Sequence, residues 1–307
     1  MVSVPKTNPI PQLSIVIPID SDVAAFESTL ISVLENQPSG SEIVVPHDGT
    51  YGDPFQIRDE VRFVESSSNR LNDLIGTASH QARGRFVHLL GNGLRATNGW
   101  TEHAIEAFNH FDTAAVAPVI YSASDQRVVS AGWKDSRQRL CLPHRDLKSV
   151  AEGIGSYLQA SFWRRDVLRS LQGAFDGDNL LETSVVYHRL IRLAGWRAEL
   201  AAGSEILCDS DRLPWDLTSF QRGMRLRAIK NYFNQSSRAQ SFVTSTIAAI
   251  ASAGNPSGYG ESLGQFFAAL ATGISDEIHP EAVLGCDDQG MIVSMPQKGG
   301  RTTRRAA

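Results

Sequence analysis

The chain has 307 residues, 42% of them hydrophobic, enough to bury a core for one large or two ordinary domains; this excludes intrinsic disorder and a disulfide-stapled miniprotein. Lys and Arg number 29 against 33 Asp and Glu, so the net charge of -4 supplies no field to gather nucleic acid, and no nucleic-acid partner is expected. Cys141, Cys208 and Cys286, odd in number and far apart, fit neither a disulfide framework nor the close pairs of a zinc site, and a reducing cytosol is expected.

After a Pro-rich start, residues 13–19 (LSIVIPI) form a continuous apolar run, the pattern of a strand buried on both faces of a parallel sheet, with Pro18 at its carboxyl end. Phe26, Leu30, Val33 and Leu34 then recur on one helical face, ending near the breaker Gln37-Pro38-Ser39-Gly40. A second strand at 42–45 completes a βαβ unit, whose ligands sit beyond the carboxyl ends of the strands. The alternation continues with strands at 61–64, 85–90 and 114–120 and helices at 69–82, 100–111, 166–171 and 182–194. From Asp209 onward no strand run is convincing, and helices are predicted at 217–233, 242–253 and 262–271. The reading is therefore an α/β domain over 13–208, a small helical extension over 209–284 and a frayed tail over 285–307. No run reaches the roughly 18 apolar residues of a membrane span, and the start lacks a basic-then-apolar leader, so a soluble, unprocessed cytoplasmic protein is expected.

Chemistry concentrates at residues 42–50 (EIVVPHDGT), where a buried strand runs into Asp48-Gly49. A carboxylate there can accept hydrogen bonds from a ribose or a base N–H; the same dipeptide also serves as a plain Asp-Gly turn. No nucleophile elbow, P-loop or dinucleotide-binding glycine pattern is present, which argues against hydrolases, P-loop proteins and Rossmann dehydrogenases. The opening strand, the helix ending SVLENQ and the strand leading into Asp48-Gly49-Thr50 resemble the start of family 2 glycosyltransferases of the GT-A fold. Further segments follow in the family's order: Asn72, then Ala82-Arg83-Gly84-Arg85 with FVHLL, Ser130-Ala131-Gly132, Phe162 to Leu168, Gly173-Ala174-Phe175-Asp176, and the helix from Glu182 to Arg197.

The resemblance implies a GT-A-like (Rossmann-like), mostly parallel sheet flanked by helices, and a nucleotide diphosphate sugar, for which the candidate binding residues are Pro18, Ile19, Asp20, Asp48, Arg70, Asn72, Asn92 and Arg95. It also implies inverting transfer to a glycan or lipid-linked acceptor. Two departures stand out. Where the family carries Asp-x-Asp to hold Mg²⁺ or Mn²⁺, this chain has Gly91-Asn92-Gly93; Asn92 alone offers a side-chain oxygen, and no metal is expected. Diphosphate charge then falls to cations such as Arg70 and Arg95 or to helix N-termini. Where the family uses the second of two acidic residues as base, this chain has Glu182-Thr183, leaving Glu182 as the candidate, or as a plain helix-N-terminal carboxylate. The basic residues Arg222, Arg225, Arg227 and Lys230 form either a solvated helix face or a peripheral membrane contact at the inner face of the membrane. Two functions remain open: a sugar transferase, or a catalytically inactive relative acting as a binding or assembly module.

Overall fold

The computed structural model describes residues 10–54, 56–136, 139–147, 153–234, 256–270, 274–286 and 292–294. Strand β1 (Leu13–Val16) is buried along its whole length, and β2 (Ser41–His47) and β4 (Phe86–Leu89) flank it in parallel. Between them run α1 (Val23–Glu35), β3 (Val61–Glu65), which extends the parallel sheet beyond β2, and α2 (Leu71–Gln81). Asp22 caps α1 by accepting the Ala25 N–H, and Phe26, Leu30 and Val33 bury its inner face, as their spacing predicts.

The second half is mixed. It comprises β5 (Leu94–Ala96), α3 (Glu102–Ala107), β6 (Thr113–Ser122), β7 (Val128–Ser130), the short pair β8 (Trp133–Lys134) and β9 (Leu142–Pro143), β10 (Phe162–Arg164), α4 (Arg165–Leu171), α5 (Leu180–Leu193) and β11 (Arg197–Cys208). The main sheet runs β3-β2-β1-β4-β10-β6-β11-β5, with β7 added alongside β6. Strand β10 lies antiparallel between β4 and β6, whereas the long β6–β11 pair is parallel. Helices flank this mostly parallel sheet, giving the α/β architecture read from the sequence. Strand β11 has no counterpart among the predicted elements. Much of its length is solvated, and two register shifts interrupt its pairing, so it shows no continuous apolar run.

Helix α6 (Phe220–Asn234) matches its prediction closely. The predicted helix at 242–253 lies outside the described residues, and α7 (Pro256–Phe266) with a following single turn takes the place of the third. After α8 (Ile274–Glu277), β12 (Leu284–Cys286) pairs with β13 (Ile292–Ser294), so part of the expected frayed tail is a two-stranded ladder. The extension is fastened to the domain by charge as well as by apolar contact. Arg139 bonds Asp216 at 2.6 Å and Glu261 at 3.2 Å, Lys230 meets Asp135 at 3.0 Å, and Arg222, itself paired with Glu261 inside the extension, donates to the Leu140 and Cys141 carbonyls at 3.2 Å. Arg222, Arg225 and Lys230 thus face acids of neighbouring elements and Arg227 bonds Gln265, so these residues do not form a solvated stripe.

Candidate functional site

The carboxyl ends of β1 and β4 open onto a cavity of about 200 Å³ whose walls include Pro18 and Asp20 after β1, Asn92 after β4, Gln159, and Trp215 from the segment after β11. Leu71, the first residue of α2, and Leu180, the first residue of α5, also line it. Beside it, a more polar cavity of about 410 Å³ is bordered by Asp178, Asn179, Glu182, Ser219, Arg225 and Glu277, among others. Two elements border both cavities: the start of α5 and the 214–221 segment.

Glu182 sits in the first turn of α5, where Asn179 caps the helix by accepting the N–H groups of Leu181 and Glu182. Only 7% of Glu182 is exposed. Burial lifts its carboxyl above the usual range, an effect that Arg225 partly offsets. Arg225 Nε donates to Oε2 at 2.8 Å, its Nη2 lies 2.7 Å from the same oxygen as an ion pair, and Nη1 and Nη2 donate to Glu277 at 2.9 and 2.7 Å. Oε1 of Glu182 carries no hydrogen bond among the described residues, so this buried carboxylate keeps one oxygen free to accept a proton.

The other candidates divide. Pro18, Asp20 and Asn92 share the smaller cavity. Ile19 bonds Pro46 through its backbone at 3.0 Å and packs on the core. Asp48 lies exposed after β2, and its Oδ1 accepts the Thr50 N–H at 3.0 Å and the Thr50 hydroxyl at 2.6 Å, a local turn. Arg70, just ahead of α2, pairs with Asp73 at 3.1 Å and Asp178 at 3.0 Å. Asn72 donates to the Gly177 carbonyl at 2.6 Å and the Thr183 hydroxyl at 3.0 Å, tying α2 to the start of α5. Arg95 is remote from this group: it pairs with Asp209 at 2.5 Å and lines a separate groove beside α1. Trp215 and Gln159 were not anticipated. Gln159 carries no sequence signal, whereas a lone Trp in the Leu213-Pro214-Trp215 loop is the kind of aromatic that sequence reasoning can flag.

The side chains of Gly91-Asn92-Gly93 do not fit a metal. A side chain at Gly91 would begin 3.1 Å from the Gln159 Cβ and 3.2 Å from its carbonyl oxygen, and Gly93 has a positive φ of 81°, which strains any other residue. Among the described residues, no group of three His, Cys, Asp or Glu could hold an ion.

No protein-family model and no curated protein matches the chain. Among the solved structures similar to it are three with a TM-score of 0.51 each. They are GalNAc-T7 with UDP, GalNAc and Mn²⁺ (15% identity), the mannosyltransferase PcManGT from Pyrobaculum calidifontis with GDP-Man and Mn²⁺ (18%), and residues 1–349 of S. aureus TarS (13%). The matches cover 76%, 85% and 87% of this chain and 52%, 80% and 75% of those chains, so it spans about half of the GalNAc-T7 chain. At these identities the likeness is one of fold, and that fold is the GT-A fold of glycosyltransferases. No described helix is long and apolar enough to cross a membrane.

Proposed function

We propose that the chain is a glycosyltransferase that moves a sugar from a nucleotide diphosphate sugar to a hydroxyl of a glycan or lipid-linked acceptor, with inversion. The observation that carries this reading is Glu182: a buried carboxylate in the wall of the polar cavity, lifted above its ordinary pKa, with a free oxygen, two residues from Leu180 in the wall of the apolar one. In this reading the donor sugar lies toward the apolar cavity and the acceptor enters through the polar one. Glu182 Oε1 takes the proton of the acceptor hydroxyl as its oxygen bonds the anomeric carbon, and the bond from that carbon to the diphosphate breaks on the opposite side. Arg225 holds the carboxylate in place. The negative charge of the leaving group falls to Arg70 and to the N-terminus of α2.

The second reading, a binding or assembly module without turnover, is favoured by Thr183 in place of a second carboxylate and by the grip of Arg225 on Glu182. A panel of nucleotide sugars separates the two. Under the first reading, Glu182→Gln abolishes transfer and leaves donor binding nearly intact. Donor binding with no transfer by the unaltered protein, across donors and acceptors, overturns it in favour of the module.

A further inference from the structure

The smaller cavity carries polar atoms with nothing to bond. Both side-chain polar atoms of Asn92 and the indole Nε1 of Trp215 are shut off from solvent without a hydrogen-bond partner among the described residues, and both residues line this cavity. A buried polar group left unpaired costs roughly 1–3 kcal/mol, and folded proteins contain few of them. Three such atoms on the wall of one cavity point to a ligand that satisfies them.

The chemistry of that ligand follows from the rest of the wall. Pro18, Leu71, Leu89, Leu180 and Pro214 make it mainly apolar, and Asp20 is the one charged residue among the described residues that line it. A phosphate would find no cation here and would face a carboxylate; a divalent ion would find one carboxylate and a neutral amide. An uncharged ring bearing hydroxyls suits every feature. Its oxygens accept from the Trp215 N–H and the Asn92 amide, its O–H groups donate to the Asn92 carbonyl and to Asp20, and its C–H faces lie on the apolar walls. At about 200 Å³ the cavity falls short of the roughly 300 Å³ at which pockets for drug-sized ligands begin, so it holds one ring and not a whole nucleotide sugar.

We propose that this cavity holds the glycosyl ring of the donor directly through Asn92 and Trp215, with no divalent ion, and that the diphosphate lies outside it. This rests on the nucleotide-sugar reading given above. The end of β4 is then a hydrogen-bonding site for a neutral ring, in a chain whose Gly91 and Gly93 do not suit a metal.

The test is calorimetric titration of the full chain, unaltered and as Trp215→Phe and Asn92→Ala. The probes are UDP- and GDP-linked glucose, galactose, mannose and N-acetylhexosamines, UDP and GDP alone, and the free monosaccharides, each in EDTA and in Mn²⁺. Trp215→Phe keeps the ring and deletes only the N–H, so it remains informative if Asn92→Ala fails to reach the unaltered thermal midpoint. Each variant is expected to bind the matching nucleotide sugar about tenfold more weakly, equally in EDTA and Mn²⁺, and UDP or GDP alone as well as the unaltered chain does. Equal weakening toward the bare nucleotide puts a phosphate in the cavity and overturns the inference, as does affinity that depends on Mn²⁺ or is untouched by both substitutions. Should no nucleotide compound bind, the nucleotide-sugar reading fails by itself. Free-sugar binding weakened by both substitutions then still supports a sugar cavity, and no binding of any sugar overturns that too.

Discussion

Replacing Arg225 by Ala removes the partner of a carboxylate that is 7% exposed, and the size of the effect follows from what Glu182 does next. Left ionised and buried, it costs about 3–5 kcal/mol, the range for breaking a buried pair by removing one member. It can take up a proton instead. Relative to an unfolded pKa of about 4.3, holding the carboxyl neutral costs about 4 kcal/mol at pH 7.5 and about 1 kcal/mol at pH 5, at roughly 1.4 kcal/mol per pH unit. Burial already raises the folded pKa of Glu182, and without Arg225 the neighbouring charge of Glu277 raises it further. A raised carboxylate pKa means that stability is lost as pH climbs above the unfolded value. Glu277, held below its usual range chiefly by its bond to Arg225, loses a smaller contribution that is likewise present only at higher pH. Arg225→Ala is therefore expected to cost about 3–4 kcal/mol at pH 7.5 and about 1–2 kcal/mol at pH 5, measured by urea unfolding followed through tryptophan fluorescence. Adding Glu182→Gln should return about 2 kcal/mol at pH 7.5 and little at pH 5. A loss under about 1 kcal/mol at pH 7.5, or an equal loss at both pH values with no rescue, would show that Arg225 does not neutralise Glu182 in the folded chain.

Three further outcomes are expected. Gly84→Ala places a Cβ 2.6 Å from the Ser14 nitrogen and 2.7 Å from the Leu13 carbonyl carbon, both backbone atoms that cannot rotate away, and should cost about 1–3 kcal/mol; an unchanged urea midpoint would refute this close approach to β1. Burial holds His88 neutral with its pKa lowered to about 3, so its share of stability is lost as pH falls from 6.5 toward 3, on the order of 5 kcal/mol in all. His88→Leu should flatten the stability profile across that window, and an identical profile would mean that the ring is protonated without penalty. Asp48→Ala should weaken nucleotide binding, whereas Asp48→Asn, which keeps an oxygen for the Thr50 turn, separates loss of charge from loss of the turn; equal nucleotide affinity in all three proteins would leave Asp48 with the turn alone.

The elements legible in the sequence are those whose burial is uniform or strictly periodic. Strand β1 reads as a strand because all four of its residues are buried, and α1 reads as a helix because Phe26, Leu30 and Val33 share a face. Strand β11 escapes because its solvated residues and register shifts break the period, and β10 because three residues carry no period at all. At the site, Gly91-Asn92-Gly93 is legible as a departure, since residue types alone settle whether carboxylates are present. Arg225 is a different case. Its run of basic neighbours looks like one charged face, yet Arg222 goes to Glu261, Arg225 to Glu182 and Glu277, Arg227 to Gln265 and Lys230 to Asp135. Charge spacing along one helix cannot distinguish a face turned to water from one turned toward acids of other elements, because the acids arrive through topology.

The same contrast explains why the segments that resemble a glycosyltransferase locate its fold better than its chemistry. The Arg83 N–H and the Ser14 hydroxyl both bond Glu42 at 2.6 Å, the Gly84 N–H bonds the Ser14 hydroxyl at 2.9 Å, and Arg165 closes over the Arg83 carbonyl at 2.9 Å. Asn72 likewise ties α2 to α5. Each of these contacts sets where a strand end or a helix start lies, and each is needed whatever occupies the cleft. The residues on which turnover would depend, Glu182 and the unpartnered Asn92 and Trp215, lie where this chain departs from the resemblance or where the resemblance says nothing. Binding and transfer can therefore fail separately here. A chain that holds nucleotide sugars through Asn92 and Trp215 without turnover is a binding module on a GT-A scaffold, and in one that transfers sugar the proposed proton acceptor is Glu182 Oε1, the oxygen that Arg225 does not hold.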